Sequence, residues 1–242
     1  MNNRYIIVFT FLLTSVVALS LTMLRQATEP LAEKNEELFT KKAILSAVAK
    51  YLPKGKDLNT MSPDDVLSFF DNQVQAIVVD ASGKIIRQEG GDEIDVAKVW
   101  KEPAQEREMP VFIYDNAGKK YYIFPLRGKG LWDDIWGYVA LDSDLNTLVG
   151  VSFDHKGETP GLGAEIKDNP HFAEQFAGKQ IFDEQGQFVS VVLKKGGAAP
   201  GDKHAVDAIT GATLTSNGVT QMLKTGLGWY LPYIQSVKKT QG

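Results

Sequence analysis

From Tyr5 to Leu24 the chain runs without a charge, bracketed by Arg4 and Arg25. A helix rises about 1.5 Å per residue, so this run spans roughly 30 Å, the hydrocarbon thickness of a bilayer. Its polar members are mostly Ser and Thr, whose hydroxyls can bond back to the helix. Leu21–Leu24 runs straight into Arg25. A secretory signal would instead show a shorter apolar core and a small-residue cleavage site, so residues 1–25 are expected to be a retained transmembrane anchor. The period then changes. Between Thr28 and Tyr51, Leu31, Leu38, Ile44, Leu45 and Val48 recur near one face while charges fill the other. That predicts a helical stalk over 26–52, with Pro30 a point for a break and Pro53-Lys54-Gly55 as its end. Ser62-Pro63-Asp64-Asp65 reads as the start of a further short helix.

Strand texture follows. Ala76–Val79 and Ile85–Ile86 flank Asp80-Ala-Ser-Gly83, Pro110–Tyr114 and Tyr121–Leu126 flank Asp115-Asn-Ala-Gly118, and Gly137–Leu141 and Thr147–Phe153 flank Asp142–Asn146. Apolar runs joined by such turn residues predict three hairpins. Phe188–Leu193 reads as a later strand, and Asp92–Lys101, Asn169–Phe176 and Leu214–Gly226 as helices. The predicted class is α+β, an antiparallel or mixed sheet with flanking helices behind one transmembrane helix. No internal repeat or low-complexity segment divides the rest. Residues 52–62 are the best boundary, which leaves a soluble domain over 53–242.

Composition narrows the chemistry. The chain is 43% hydrophobic and 23% charged, as a globular protein is, and its net charge of −4 offers no basic excess for nucleic acid. Cysteine is absent, which excludes disulfides, thiolate zinc sites, Cys-ligated iron–sulfur clusters and Cys-attached haem. His155, His171 and His204 make no metal spacing, so no metal site is expected. Redox chemistry in such a chain has to rest on an organic cofactor. Dinucleotide, phosphate-loop, zinc-protease and nucleophile-elbow motifs are all missing. No carboxylate pair stands out, so no catalytic residue is assigned.

Three segments remain that can carry chemistry. Gly157-Glu-Thr-Pro-Gly-Leu-Gly163 is a tight turn whose backbone can approach a ligand, with Thr159 offering a hydroxyl and Leu162 an apolar face. Alternatively it is a charged surface turn. Asp207-Ala-Ile-Thr-Gly-Ala-Thr213 leads into a helical stretch. There Thr213 stands near a helix N-terminus, whose N–H groups and dipole favour a phosphate, while Gly211 and Ala212 leave room around its hydroxyl. The bland reading makes Thr210, Thr213 or Thr215 an ordinary N-cap. Gly128-Lys-Gly-Leu-Trp132 sets an aromatic ring and a cation at a turn, fit to stack on a planar group or to pack into the core.

Taken together and in this order, the three segments resemble the FMN-binding domain family. D-x-x-T-G-A-T resembles its flavinylation motif, in which the last Thr carries FMN through a phosphoester, and G-E-T-P-G-L-G resembles its flavin-contacting loop. Over nearly the whole chain the order of anchor, stalk, mixed domain and motifs is similar to the NqrC family of the sodium-translocating NADH:quinone reductases. The related RnfG family of the Rnf complexes, which couple ferredoxin and NAD, shares the last two motifs. The resemblance implies that Thr213 carries covalent FMN, with the FMN-binding part over about 127–242. It implies that Glu158, Thr159, Leu162 and Gly163 line the isoalloxazine, with Leu131 and Trp132 as further contacts and Thr210, Gly211 and Ala212 beside the attachment. Asp207, Thr210, Gly211, Ala212 and Thr213 would be read by a flavin transferase that uses FAD as donor. The other subunits of the reductase complex (NqrA, NqrB, NqrD, NqrE and NqrF) and the lipid bilayer would be the remaining partners. The chain would be single-pass in the bacterial inner membrane, with its soluble domain in the periplasm. Charge counting pulls the other way, since Arg4 precedes the apolar run and Arg25, Lys34, Lys41 and Lys42 follow it, but the rule weakens for long translocated domains and leaves the side open. A membrane-anchored binding module without cofactor is the remaining alternative.

Overall fold

The computed structural model describes residues 3–241. Its contacts divide the chain into one unit ending at Thr40 and one beginning at Lys41. Helix α1 (Asn3–Ser46) carries the apolar run, whose large side chains stand exposed, Phe11 and Leu12 among them. The hydroxyls of Thr14, Thr22 and Thr28 donate to the carbonyls of Thr10, Ala18 and Leu24 at 2.8–3.0 Å, the back-bonding of hydroxyl side chains within a helix. The break anticipated at Pro30 does not occur, since the proline lies inside α1. A proline costs one backbone bond, and the helix-forming residues on both sides carry the helix through. Regular α-helix ends at Ser46, ahead of the expected Pro53, and a single 3-10 turn follows at Ala49–Tyr51.

In the second unit, α2 (Pro63–Gln73) starts as its sequence predicts, with Ser62 as N-cap accepting from the Asp65 N–H and Pro63 in the first turn. Six strands form one antiparallel sheet: β1 (Val74–Val79), β2 (Ile85–Arg87), β3 (Met109–Asn116), β4 (Lys119–Lys129), β5 (Asp134–Leu141) and β6 (Leu148–His155), in the order β2-β1-β3-β4-β5-β6. The three expected hairpins are its β1–β2, β3–β4 and β5–β6 pairs. The β3–β4 turn is two residues, Ala117 at φ 54° and Gly118 at φ 89°, the left-handed pair that suits strand twist. Between β1 and β3 the segment expected as a helix over 92–101 shortens to α3 (Val96–Val99), because Asp95 caps it by accepting from Ala97 and Lys98.

After β6 come α4 (Glu165–Asp168) and α5 (Pro170–Glu174), with Asn169 capping the latter. Only β7 (Val192–Lys194) remains of the strand expected over 188–193, and it pairs in parallel with β8 (Ala205–Asp207), which the hydrophobic pattern did not reveal. Ser190 sits at φ 62°, and both it and Val189 donate to the Ile181 carbonyl, so extended pairing stops there. Helix α6 (Thr213–Gln241) passes the expected stop at Gly226 and contains Pro232. Gly226 is a contact rather than a terminator, since a Cβ there would press on Leu126 and Trp100. On one sheet face Val219, Met222, Leu223, Leu227, Tyr230, Tyr233 and Ile234 of α6 join Phe124, Leu126 and Val139 in the main core. Tyr230 packs on Phe124 at 4.9 Å between ring centroids and donates to the Pro110 carbonyl at 3.1 Å. The sheet and this helix together fix the end of α6 that matters for the site.

Candidate functional site

Two turns of one kind meet at the N-terminus of α6. Thr159-Pro160-Gly161-Leu162 is closed by Leu162 N–H donating to the Thr159 carbonyl at 3.1 Å, with Gly161 at φ 76°. Ile209-Thr210-Gly211-Ala212 is closed by Ala212 N–H donating to the Ile209 carbonyl at 3.1 Å, with Gly211 at φ 81°. Glycine with positive φ at the third position is what a type II turn requires. The turns are neighbours, since a Cβ on Gly211 would lie 3.4 Å from Leu162 Cδ2.

The second turn delivers the chain into α6 with an unusual cap. The Ala212 carbonyl accepts the Ser216 N–H at 2.9 Å, which places Ala212 at the N-cap. Alanine has no oxygen to offer the first-turn N–H groups, so among the described residues Thr213 enters the helix beside amides that no N-cap side chain takes up. None of Thr210, Thr213 and Thr215 is the cap. Thr213 is exposed, Thr210 is exposed on the turn, and Thr215 and Ser216 are buried. Both buried hydroxyls are engaged: Ser216 Oγ accepts from the Ile209 N–H at 3.1 Å, and Thr215 Oγ1 donates to Glu158 Oε2 at 2.5 Å. A phosphate bonded to Thr213 would stand where amide donors and the helix dipole favour an anion, so the donor set fits an FMN phosphate.

Glu158 organises the opposite wall. It is 4% exposed, and its Oε1 accepts the Trp132 N–H at 3.0 Å. Burial pushes its carboxyl up, but the Thr215 hydroxyl and the main-chain N–H groups of Trp132, Leu131 and Asp133 outweigh burial and hold it below the usual range. Its own N–H donates to His155 Nδ1 at 3.1 Å, which leaves the proton of a neutral imidazole on Nε2. Gly130 and Gly163 are glycine by necessity, because a Cβ at either would collide with a Glu158 carboxylate oxygen.

The turn before β5 completes the wall. Gly130 N–H donates to the Asp133 carbonyl at 2.8 Å, and ion pairs of Lys129 with Asp134, Arg127 with Asp134 and Lys156 with Asp133 brace it. Trp132 is not in the core. It is 70% exposed, its indole N–H donates to Thr159 Oγ1 at 3.2 Å, and Leu131, Leu162 and Leu214 are also exposed apolar groups. Helix α6 lies close against this turn, since a Cβ on Gly218 would run into the Lys129 carbonyl and one on Gly128 into the Met222 side chain. The Asp207 carboxylate is engaged by its own loop, accepting the Ala198 N–H at 2.8 Å.

The structure therefore brings Leu131, Trp132, Glu158, Thr159, Leu162, Gly163, Gly211 and Ala212 around the end of α6 that bears Thr213. Sequence reasoning missed Gly218, offered Thr215 only as a possible N-cap and held Gly130 only as part of the Gly128–Trp132 turn. Thr215 and Glu158 are 57 residues apart, and no local pattern links them. Among the described residues no group of His, Asp or Glu is arranged to hold a metal ion.

The FMN-binding domain family matches residues 130–228, a span that contains the residues gathered around Thr213. The chain is 38% identical to the C subunit of the Na(+)-translocating NADH-quinone reductase of Pseudomonas aeruginosa, over 69% of this chain and 72% of that one. It is 30% identical to the protein of the same name from Pasteurella multocida, over 96% of this chain and 92% of that one. Two crystal structures share the fold. The C subunit of this reductase from Parabacteroides distasonis superposes with a TM-score of 0.72 at 34% identity, covering 84% of this chain and 95% of that one. NqrC of Shewanella oneidensis gives 0.71 at 30% identity, covering 86% and 99%.

Proposed function

The chain belongs to the NqrC family, the C subunits of the Na(+)-translocating NADH-quinone reductase, and from that premise we propose that it carries FMN bound covalently to Thr213 and passes electrons through it within that complex. The observation that carries the assignment is the exposed Thr213 hydroxyl in the first turn of α6, behind an alanine N-cap and next to hydroxyls that are already buried and bonded. In the attachment step a phosphoester forms at Thr213 Oγ1 as the pyrophosphate of FAD breaks. AMP leaves, and the threonine proton is released. A separate flavin transferase, reading Asp207 and Thr210 to Thr213, would catalyse it. When bound, the flavin supplies the redox chemistry, and the chain's residues hold and shield it. Leu131, Trp132 and Leu162 offer apolar surface to a planar ring, Thr159 offers a hydroxyl, and the first-turn amides of α6 hold the phosphate. A tether suits a wall built from two turns, because such a shallow site would otherwise lose its cofactor by dissociation.

NqrA, NqrB, NqrD, NqrE and NqrF are the proposed partners, with NADH and quinone bound elsewhere in the complex. α1 has the length and composition to cross a membrane, and we assign it to the bacterial inner membrane with the sheet domain in the periplasm. The relatives above are named for the Na(+)-translocating reductase, which favours the sodium pump over the Rnf reading. The test is in-gel flavin fluorescence of the denatured protein from cells that hold the transferase. The wild-type band is expected to fluoresce and the Thr213→Ala band to be dark. Fluorescence that persists in the variant would place the attachment elsewhere.

A further inference from the structure

We propose that Glu158 is a positioning residue. It works through Thr215 as a latch that holds the Leu131–Trp132 turn and the Thr159–Leu162 turn over the first turn of α6, and so keeps the flavin covered. The inference rests on the assignment of FMN to Thr213. Three segments distant in sequence end on this one carboxylate: Oε1 takes the Trp132 N–H at 3.0 Å, Oε2 takes the Thr215 hydroxyl at 2.5 Å, and the residue itself lies in the loop of Thr159 and Leu162. With both oxygens engaged at 4% exposure, the side chain faces its neighbours rather than an open surface. Trp132 is thereby held twice from the same loop, by its main chain through Glu158 and by its indole through Thr159. Gly130 and Gly163 leave the room the carboxylate occupies, since a Cβ at either would press on one of its oxygens.

The turn that presents Thr213 is closed by other bonds. Ala212 donates to Ile209, Ser216 donates to Ala212, and Ile209 donates to the Ser216 hydroxyl. Glu158 takes part in none of them. Loss of the latch should therefore leave attachment intact and free the wall above it. That separates a positioning role from a role in the chemistry of attachment.

Four variants produced with the flavin transferase test this: Thr215→Val, which keeps the side chain's size and removes the donor, Thr215→Ser, which restores it, Glu158→Ala and Thr213→Ala. Intact mass reads attachment, and iodide quenching of the flavin fluorescence of the folded protein reads its cover. Wild type and Thr215→Ser should carry FMN and resist quenching. Thr215→Val should carry FMN in full, with a quenching constant raised roughly threefold or more, since it loses a hydrogen bond to a charged, buried group, and Glu158→Ala should show the same raised constant on the chains that carry FMN. Should Glu158→Ala not fold, the near-isosteric Thr215→Val decides alone. A wild-type constant in Thr215→Val overturns the proposal. So does an equal rise in Thr215→Ser, which would mean packing rather than the hydroxyl, and so does loss of the FMN mass in Thr215→Val. A wild-type chain without added mass overturns the underlying assignment as well, an outcome visible before any variant is compared.

Discussion

The two ends of α6 obey different rules. Its second half is core: Leu227, Tyr230, Tyr233 and Ile234 are almost fully buried, and the Tyr230 hydroxyl reaches a main-chain carbonyl of β3. Its first turn buries Thr215 and Ser216 but turns Thr213 and Leu214 outward, and an alanine stands where a helix ordinarily has a capping oxygen. One helix thus joins a buried half to the end proposed to carry the flavin. The buried half fixes the axis, and the uncapped first turn keeps hydrogen-bond donors free for an anion. Stability and chemistry should therefore separate along the helix.

Three substitutions probe that separation. The largest effect is expected at the exposed end, where Thr213→Ala should abolish covalent flavin while moving the thermal midpoint little, because surface changes seldom exceed about 0.5 kcal/mol. Tyr230→Ala should do the reverse. Removing a fully buried aromatic costs about 3–5 kcal/mol, measured by urea titration of the folded domain, while the chains that remain folded still accept FMN. If Tyr230→Ala lost the flavin without losing stability, the division would fail. Between the ends, Gly218→Ala should cost about 1–3 kcal/mol by overpacking, since its Cβ would strike the Lys129 carbonyl. It should also lift the first turn off β4 and raise iodide access to the flavin.

The smallest effect is one of pH. Glu158 is held below its ordinary value of 4.5 in the folded chain by the hydroxyl and amide donors that overcome its burial. A carboxyl with a depressed folded pKa stabilises the fold above its unfolded pKa, and that contribution is lost as pH falls through the folded value. Wild type should therefore lose stability more steeply than Glu158→Gln below about pH 4.5. Parallel acid-denaturation curves for the two would remove Glu158 from the account.

Much of this was legible in the chain. The three hairpins were, because Asp-Asn-Ala-Gly and its counterparts are turn chemistry between apolar runs, and so was the long apolar helix at the N-terminal end, because twenty uncharged residues in sequence suit one continuous helix. Helix ends were read less well. Gly226 and Pro30 look like terminators, yet one is a site of close packing and the other is carried by its flanks. The parallel β7–β8 pair is only three residues long, too short to leave a period. At the site, the residues within each motif could be named from sequence, but their roles could not. Whether Trp132 was core or surface, and whether a threonine was the cap, depended on what lay opposite. The bond from Glu158 to Thr215 exists only because the sheet brings β6's end to the start of α6.

The central claim is most directly tested on one peptide. Trypsin cutting after Lys203 and Lys224 releases His204–Lys224, which holds the whole Thr motif. From cells that contain the flavin transferase, this peptide should carry the mass of FMN less one water, with fragmentation placing it on Thr213. The same peptide recovered unmodified from those cells would contradict the account.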